Sequence, residues 1–583
     1  GNPGLLLDCV HHYNQALPAV ADPEARLRIA ELNLAAARAS RETAAFAPAM
    51  DYLIRAMECL PGAPWETCHG LALEIHAMGA EAASLSGRYD LASQWSGMVL
   101  KNAKTLLEKV RIWRLLLHSQ VANGRFAEAV DLGLTAMKAM GREFSGNPGK
   151  GQILWEYLLT SHLLKKTEIS ELKDIPELSD PVSRAFLGLC FDTMPPAFLA
   201  RPNLTPILVF YAIRFCIEHG MAPESSTIFA SYGFVLAGYL RKPAQARRMG
   251  KLALALLARF QDNRFASQTL YIANVSCLSW HEPMAERLPG LQESERAGRV
   301  TGIFSWASFA CFGKSYFAFF SGKPLAELDR EMEKTVEEVG LMSQHHMKSC
   351  IRILRQTVLN LITPGPDPVE MEGPAYYESR REETLKGHDR VLVHSVLDLQ
   401  KAILALFFRR PDQALALCDK ALEARERMAG SPPLVMALHV QCLACLGVLN
   451  QGKTGGTRFP KRILKKSLKE LSFWAREAPV NHGHRLVLAQ AELARNRRKL
   501  ARASDLYERA AQQALENGFI QDAALGREIF AEALLSAGNR EGAARQLSLA
   551  RKHYADWGAL AKVKDLEVRH EGLFQHLQGK DLP

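Results

Sequence analysis

The stretch NGRFAEAVDLGLTAMKA (residues 123–139) carries the pattern that decides the fold. A short turn containing Gly124 precedes a helical segment in which Ala129 and Ala136 stand seven positions apart on one face. Small side chains at this spacing allow two helices to cross with their backbones close together. The stretch therefore predicts the second helix of an antiparallel hairpin, with Gly124 ending the first helix in a left-handed cap.

The same pattern recurs along the chain. Similar turns open SGRYDLA (86–92), RKPAQA (241–246), RRPDQA (409–414) and AGNREGA (537–543). The matched small positions are Ala49/Ala56, Ala92/Val99, Ala129/Ala136, Ala246/Ala253, Ala414/Ala421, Ala503/Ala510 and Ala543/Ala550. Apolar residues follow the helical period almost throughout, and strand-like alternation is rare. We therefore predict an all-α fold, a TPR-like α-solenoid or superhelix of degenerate antiparallel helix hairpins, in which each hairpin contacts its neighbours.

Loops rich in glycine and proline divide the predicted array. They lie at 141–151, 362–375 and 450–460. The resulting segments are N-terminal TPR-like repeats over 1–140, a central long-helix repeat block over 152–362, helical hairpin repeats over 376–449, C-terminal TPR-like repeats over 461–570 and a tail or linker over 571–583.

Composition narrows the class of protein. A hydrophobic fraction of 48% supplies a packed core and excludes a mainly disordered chain, and a formal net charge of +10 over 583 residues is a mild basic excess. Eleven cysteines without a disulfide framework favour a cytoplasmic location. The apolar stretch 300–321 is interrupted by Lys314, so no membrane span is expected. The start GNPGLLLDCV resembles neither a signal peptide nor a native N-terminus, which favours an internal fragment of a larger protein.

Local motifs do not nominate a reaction centre. The segment Gly447 to Thr454 matches G-x-x-x-x-G-K-T, but a helical rather than strand-like pattern precedes it, so an inter-helix loop is favoured over a phosphate loop using Lys453. The cysteine pair Cys442/Cys445 has no second pair, as a zinc site would require. The histidine groups lack metal-ligand spacing; they are His11/His12, His345/His346 and His482/His484. We expect no catalytic residue, cofactor or metal in this chain.

A basic segment, KRILKKSLK (461–469), combines five cations with an apolar face. Such a helix face is commonly a solvated outer surface, and it also fits an anionic partner, a membrane surface or nucleic acid. Because the stripe has no interleaved aromatic residues, nucleic acid is the weaker interpretation.

Longer stretches resemble a known class of protein. They are residues 30–61, IEHGMAPESS (217–226), 231–260, CLSWHEPM (277–284), LSFWAREAPVNHGHRLVLAQAELAR (471–495) and HYADWGALAKVKDLE (553–567). Together they resemble the helical-repeat region of large bacterial multidomain signalling proteins, which also carry a Ser/Thr-kinase-like domain, a STAND/AAA-type ATPase domain and a GAF/histidine-kinase output module. The chain departs from that family at Gly302-Ile303, where the family tends to have Gly-Asp.

This resemblance implies that the kinase and ATPase active sites lie outside the chain. We expect a non-catalytic sensor or protein-interaction region that binds a protein, peptide or small-ligand signal and relays it to flanking domains. The alternatives are a nucleotide-binding enzyme using the 447–454 segment and a passive scaffold. The candidate partner-binding residues are the polar members of the distinctive central stretches, namely His219, Glu224, Trp280 and His281.

Overall fold

The computed structural model describes residues 3–42, 45–165, 169–380, 387–426, 428–451 and 458–578. These residues are mostly helical, and their β contacts are the isolated bridges Glu177 to Met221 and Glu372 to Tyr377. The prediction of an all-α fold is confirmed. The chain divides into two compact units, Gly1–Glu224 and Ser225–Pro583, which we call unit 1 and unit 2.

Unit 1 is built from hairpins that follow one another along the chain. Its described α-helices are α1 (Pro3–Ala16), α2 (Pro23–Glu42), α3 (Phe46–Glu58), α4 (Pro64–Thr67), α5 (His69–Leu85), α6 (Tyr89–Asn102), α7 (Leu106–Ala122), α8 (Phe126–Ala139), α9 (Lys150–Lys165), α10 (Ile169–Leu172), α11 (Pro181–Ala200) and α12 (Leu204–His219). The hairpins are α2/α3, α5/α6, α7/α8 and α11/α12, and each packs against the next. Helix α9 lies against α12.

Unit 2 continues the hairpin pattern. Its described α-helices are α13 (Ser225–Gly238), α14 (Pro243–Phe260), α15 (Asn263–Ile272), α16 (Leu288–Val300), α17 (Phe304–Phe320), α18 (Leu325–Leu341), α19 (His345–Ile362), α20 (Gly387–Phe407), α21 (Pro411–Ala421), α22 (Pro432–Asn450), α23 (Arg458–Glu477), α24 (Pro479–Asn496), α25 (Leu500–Glu516), α26 (Ile520–Ser536), α27 (Arg540–Trp557), α28 (Leu560–Arg569) and α29 (Glu571–Gln578). A π-helical turn (Ala273–Leu278) extends α15.

The small residues chosen from the sequence lie at the predicted helix crossings. All fourteen members of the seven matched pairs are at most 3% exposed, and each pair lies on the second helix of a packed hairpin. Gly124 ends α7 with a φ of 71°, a conformation that a side chain with a Cβ rarely adopts. The predicted left-handed caps and hairpin crossings are therefore confirmed.

Unit 2 also packs against itself over long sequence distances. Hydrogen bonds join residues 197 to 234 positions apart, for example Asn481 to Met284 and Trp557 to Lys323. Trp280 stacks on Trp474 with ring centroids 4.3 Å apart. Partners are repeatedly separated by about 200 residues, which indicates that successive turns of the unit 2 superhelix touch. We call the contact of residues 279–323 with residues 474–557 the turn-to-turn interface. Unit 1 is held together by packing between neighbouring hairpins, whereas unit 2 has both this packing and the turn-to-turn interface.

Helix α22 is the core helix of unit 2. Among the residues that the structure describes, it is the one helix long and apolar enough to cross a membrane, and 89% of its apolar window is buried within the fold. Cys442 and Cys445 lie on this helix as free thiols. Burial raises the pKa of the Cys445 thiol to about 12, which is typical of a packed, unreactive cysteine.

Candidate functional site

A groove in unit 1 is lined by the first helices of consecutive hairpins. Its lining residues are Arg41 on α2, Ala77 and Glu81 on α5, and Arg111, Ile112, Leu115 and His118 on α7. They enclose a cavity of about 290 Å³. Ala77 and Ile112 form a buried apolar floor, while the charged side chains form the rim. We call this surface the unit 1 groove.

Ion pairs cross the rim from one hairpin to the next. Arg41 Nη1 lies 3.1 Å from Glu81 Oε2, and Arg111 Nη1 lies 2.6 Å from Glu74 Oε1. Arg38 approaches the same Glu74 carboxylate at 3.6 Å. The side chains of Arg41 and Arg111 are 40% and 43% exposed, so water competes for these pairs and each stabilises the fold weakly.

Asp192 on α11 extends this set of ion pairs to the following hairpin. Its Oδ2 lies 2.6 Å from Arg114 Nε and 3.2 Å from His118 Nε2. Burial alone would raise the pKa of Asp192, but the hydrogen bond from His118 and the nearby charges hold that pKa below its usual value. Asp192 is therefore a fixed anion that orients Arg114 and His118 of α7 at the end of the groove.

The chemistry of the unit 1 groove fits recognition of a flexible chain. An apolar floor between charged rims can seat an apolar side chain, and the exposed guanidinium groups can exchange their partners for those of a ligand at small cost. Among the described residues, no group of three or more His, Cys, Asp or Glu side chains could hold a metal ion.

Unit 2 buries charged residues that the sequence analysis missed. His484 Nε2 lies 2.7 Å from Asp522 Oδ2, and Arg485 Nη2 lies 2.8 Å from the same oxygen. Arg485 is fully buried and donates from Nη1 to the carbonyl of Asn481 at 2.7 Å. Burial lowers the pKa of His439, which also faces this cluster, to about 3. Burial thus disfavours the charged form of both His439 and His484.

A second buried network also includes a residue of α26, the helix that carries Asp522. Glu528 on α26 accepts hydrogen bonds from Lys562 Nζ at 2.8 Å, from the Tyr554 hydroxyl at 2.8 Å and from Arg569. Lys562 and Glu528 are fully buried. Burial alone would raise the pKa of Glu528, but the charges of Lys562 and Arg569 outweigh it and lower that pKa to about 2.

The distinctive sequence stretches meet at the turn-to-turn interface. CLSWHEPM contacts the segment around 471–482, where Asn481 Nδ2 donates to the carbonyls of Ser279 and Glu282 at 2.7 and 2.9 Å. The amide of Met284 donates to Asn481 Oδ1 at 3.1 Å. The segment HYADWGAL (553–560) makes a similar long-range contact, since Trp557 Nε1 donates to the Lys323 carbonyl. These stretches therefore join successive turns of unit 2.

Two of the predicted partner-binding residues belong to unit 1. His219 ends α12, is exposed and stacks on Phe215 with ring centroids 4.2 Å apart. Glu224 is 9% exposed, and its Oε2 is buried without a hydrogen bond from a described residue.

The other two belong to unit 2. Trp280 is 1% exposed, and its Nε1 donates to the Ser276 carbonyl at 2.8 Å, so its visible role is packing. His281 is half-buried, and burial together with the charge of Arg247 lowers its pKa. Partner recognition through these four residues stays a prediction.

The phosphate-loop alternative falls on residues that are only partly described. Gly447 lies inside α22, so a helix precedes the motif as predicted. Lys453 and Thr454 lie outside the described residues.

Short charged sequences inside largely buried helices are the feature of the sequence that could have indicated the buried networks. HGHR (482–485) on α24 and GREIF (526–530) on α26 both place charge among small and apolar residues of a largely buried helix. A charge in such a position requires a buried partner, but the sequence does not identify which one. The partners come from other hairpins, for example Lys562 for Glu528.

Comparison with known proteins gives weak similarities. No family model matches the chain. The hybrid signal transduction histidine kinase G of Dictyostelium discoideum is 18% identical over 379 residues, covering 60% of this chain and 11% of that protein. The chain thus spans about a tenth of the length of this relative.

Two solved structures are similar at low identity. One is the Naa15/Naa10 complex bound to HypK-THB, at 13% identity and a TM-score of 0.21, covering 89% of this chain and 90% of that chain. The other is a circular tandem repeat protein with novel repeat topology, at 12% identity and a TM-score of 0.13, covering 99% of this chain and 96% of that chain. The fold assignment therefore rests on the hairpins described above.

Proposed function

We propose that this chain is a non-catalytic protein-interaction region that binds a segment of a partner protein in the unit 1 groove. The observation that carries the proposal is the exposed set of ion pairs over an apolar floor, with Arg41, Arg111 and His118 on the rim. Helical-repeat folds commonly bind partners on the extended concave surface that stacking of their repeats creates.

The groove favours a particular ligand chemistry. Its rim offers two guanidinium groups and one histidine, and the carboxylates that pair with the guanidinium groups, Glu74 and Glu81, are themselves partly exposed. A segment with an apolar side chain next to a carboxylate would place the former on Ala77 and Leu115 and the latter beside Arg41 or Arg111. Such a ligand replaces exposed intramolecular pairs with intermolecular ones, so the net cost in broken ion pairs is small.

The biological setting that we propose is a cytoplasmic, multidomain signal-transduction protein. Support comes from the sequence resemblance to the repeat region of kinase- and ATPase-containing signalling proteins and from the similarity to a hybrid histidine kinase. Binding in the groove would then regulate flanking domains if the ligand prefers one conformation of the repeat array over another.

The groove proposal is tested with peptides selected for binding. A displayed library of 12-residue peptides is selected against the intact chain, and the affinity of the best peptide is measured by fluorescence anisotropy. We expect the double variant Arg41→Ala/Arg111→Ala to weaken binding about tenfold or more, because each charged contact to the ligand contributes roughly 1 kcal/mol.

A matched variant distinguishes the loss of groove contacts from a change in the total charge of the chain. Arg88 and Arg125 are exposed arginines in the hairpin turns of the same unit, and Arg88→Ala/Arg125→Ala removes the same charge. The proposal is wrong if the groove variant binds the selected peptide as tightly as the unchanged chain, or if both double variants weaken binding equally.

A further inference from the structure

The N-terminal half of α23 carries an exposed row of cations. Lys461, Lys465 and Lys469 follow one another at intervals of one helical turn, with Arg462 and Lys466 beside them. All five residues are exposed, and none makes a side-chain hydrogen bond or ion pair with another residue of the described ranges. The row extends about 12 Å, at 1.5 Å per residue.

A second basic segment lies at the same end of the hairpin. Helices α23 and α24 are joined at Ala478 and pack against each other, so residues 461–469 run beside the C-terminal part of α24. The turn after α24 adds the exposed residues Arg497, Arg498 and Lys499, and Arg502 follows in the first turn of α25. These four residues also make no side-chain ion pair with described residues, and neither 461–469 nor 495–502 contains an acidic residue.

We call these nine residues the basic edge; they are Lys461, Arg462, Lys465, Lys466, Lys469, Arg497, Arg498, Lys499 and Arg502. It differs from the unit 1 groove, whose cations are neutralised by carboxylates on neighbouring hairpins. Nine cations that make no ion pair with described residues repel one another, and an anionic partner relieves that repulsion.

The apolar face of α23 is already occupied. Leu464, Leu471 and Trp474 are at most 7% exposed and pack inside unit 2. The helix therefore cannot turn an apolar face into a lipid bilayer, as an interfacial amphipathic helix does.

The side chains at the basic edge favour a polypeptide over a nucleic acid. The nine residues include no aromatic ring for stacking on bases, and single-stranded nucleic acids depend on such stacking. Leu500 is 46% exposed between Lys499 and Arg502, and an apolar contact there has no counterpart in a phosphate backbone. Glutamates at i and i+4 of a partner helix repeat every 6 Å or so, as do Lys461, Lys465 and Lys469.

We propose that the basic edge is a docking surface for an acidic, leucine-containing segment of a partner protein. The segment lies along α23, its carboxylates pair with the lysine row, and an apolar side chain contacts Leu500. This surface is separate from the unit 1 groove, so each proposal can fail without the other.

The test uses a labelled 16-residue peptide with alternating pairs of Glu and Leu, and a counterpart in which Gln replaces every Glu. We expect the intact chain to bind the Glu peptide in the micromolar range, at least tenfold tighter than the Gln peptide, with affinity falling as salt is raised. Lys461→Glu/Lys465→Glu/Lys469→Glu should reduce the affinity for the Glu peptide by at least tenfold.

The matched control places the same charge change elsewhere in unit 2. Lys334, Lys552 and Lys564 are exposed, and their triple change to Glu should alter affinity by less than about threefold. Circular dichroism melting checks that both variants remain folded. Equal weakening by both triple variants would show a general charge effect and overturn the proposal. Tighter binding to a 20-base-pair duplex or to phosphatidylserine vesicles than to the Glu peptide would also overturn it.

Discussion

The unit 1 groove and the buried networks of unit 2 use charged residues in opposite ways. In unit 1, arginines and glutamates such as Arg111 and Glu74 pair across the rim of an open groove, where both side chains remain more than a third exposed. In unit 2, Glu528 and Lys562 pair with no exposure at all, and Asp522 holds His484 and Arg485 inside the fold. The same residue types therefore serve a solvent-accessible surface in one region and the closed core in the other.

This difference follows from how each array packs. Hairpins of unit 1 contact their sequence neighbours, so the face lined by first helices stays open. In unit 2, segments about 200 residues apart also pack together, and buried polar side chains such as Asn481 and Gln521 find protein partners there. Exposed pairs can be exchanged for a ligand, whereas the buried pairs hold one arrangement of hairpins.

The largest effect should come from breaking the buried pair of unit 2. We expect Glu528→Gln to lower the free energy of unfolding of unit 2 by about 3–5 kcal/mol, because Lys562 and Arg569 lose their buried counter-charge. Urea unfolding, with hydrogen exchange of the α26 amides to localise the change, measures it. Glu541→Gln, at a side chain 86% exposed, is the control and should change stability by less than about 0.5 kcal/mol. A similar small effect for Glu528→Gln would mean that the two units do not differ as described.

Lowering the pH should destabilise unit 2 more than unit 1, and we expect this effect to be of intermediate size. His439 is neutral in the folded state because its pKa lies at about 3, below its value of 6.5 in the unfolded chain. The unfolded chain therefore binds a proton first, and stability that is fully present above pH 6.5 is lost as the pH falls towards 3. Between pH 6.5 and 5 this amounts to about 2 kcal/mol from His439, at 1.36 kcal/mol per pH unit.

His482 and His484 act in the same direction, because burial lowers both of their pKa values. Urea unfolding at a series of pH values should show unit 2 losing stability before unit 1. His345→Gln, at an exposed site on α19, should leave this pH dependence unchanged. Equal loss in both units, or no loss above pH 5, would contradict the burial of these histidines as neutral groups.

The smallest effect should be found in the unit 1 groove. We expect Arg41→Ala and Arg111→Ala each to change the stability of unit 1 by no more than about 1 kcal/mol, because exposed ion pairs contribute little. Thermal unfolding of the variants measures the change. A loss above about 2 kcal/mol would show that the rim supports the fold and is not free to exchange its partners for a ligand.

The hairpins could be predicted from the sequence because their determinants are local. Ala129 and Ala136 lie on one helix, and the turn before them is continuous with it, so the single stretch 123–136 specifies the crossing. The turn-to-turn interface has no such local signature. Nothing near Asn481 indicates that its partners are Ser279 and Met284, because the pitch of a superhelix accumulates from small rotations at every hairpin.

The candidate sites show the same limit. Trp280 was selected because its stretch is distinctive, and the structure shows that stretch joining two turns of unit 2. The unit 1 groove combines residues from three hairpins, so their approach depends on stacking that spacing alone does not reveal. By contrast, the cations at 461–469 were visible in the sequence because they lie on one helix.

The long separation between interface partners also has a consequence for synthesis. Trp280 leaves the ribosome 194 residues before Trp474, which at about 5–20 residues per second is a delay of about 10–40 s. Throughout that delay the indole ring of Trp280 lacks the ring on which it stacks in the folded chain, although the local hairpins can already form within microseconds to milliseconds. The nascent first half of unit 2 is thus a natural substrate for chaperones, and a premature stop before residue 474 would leave an aggregation-prone product.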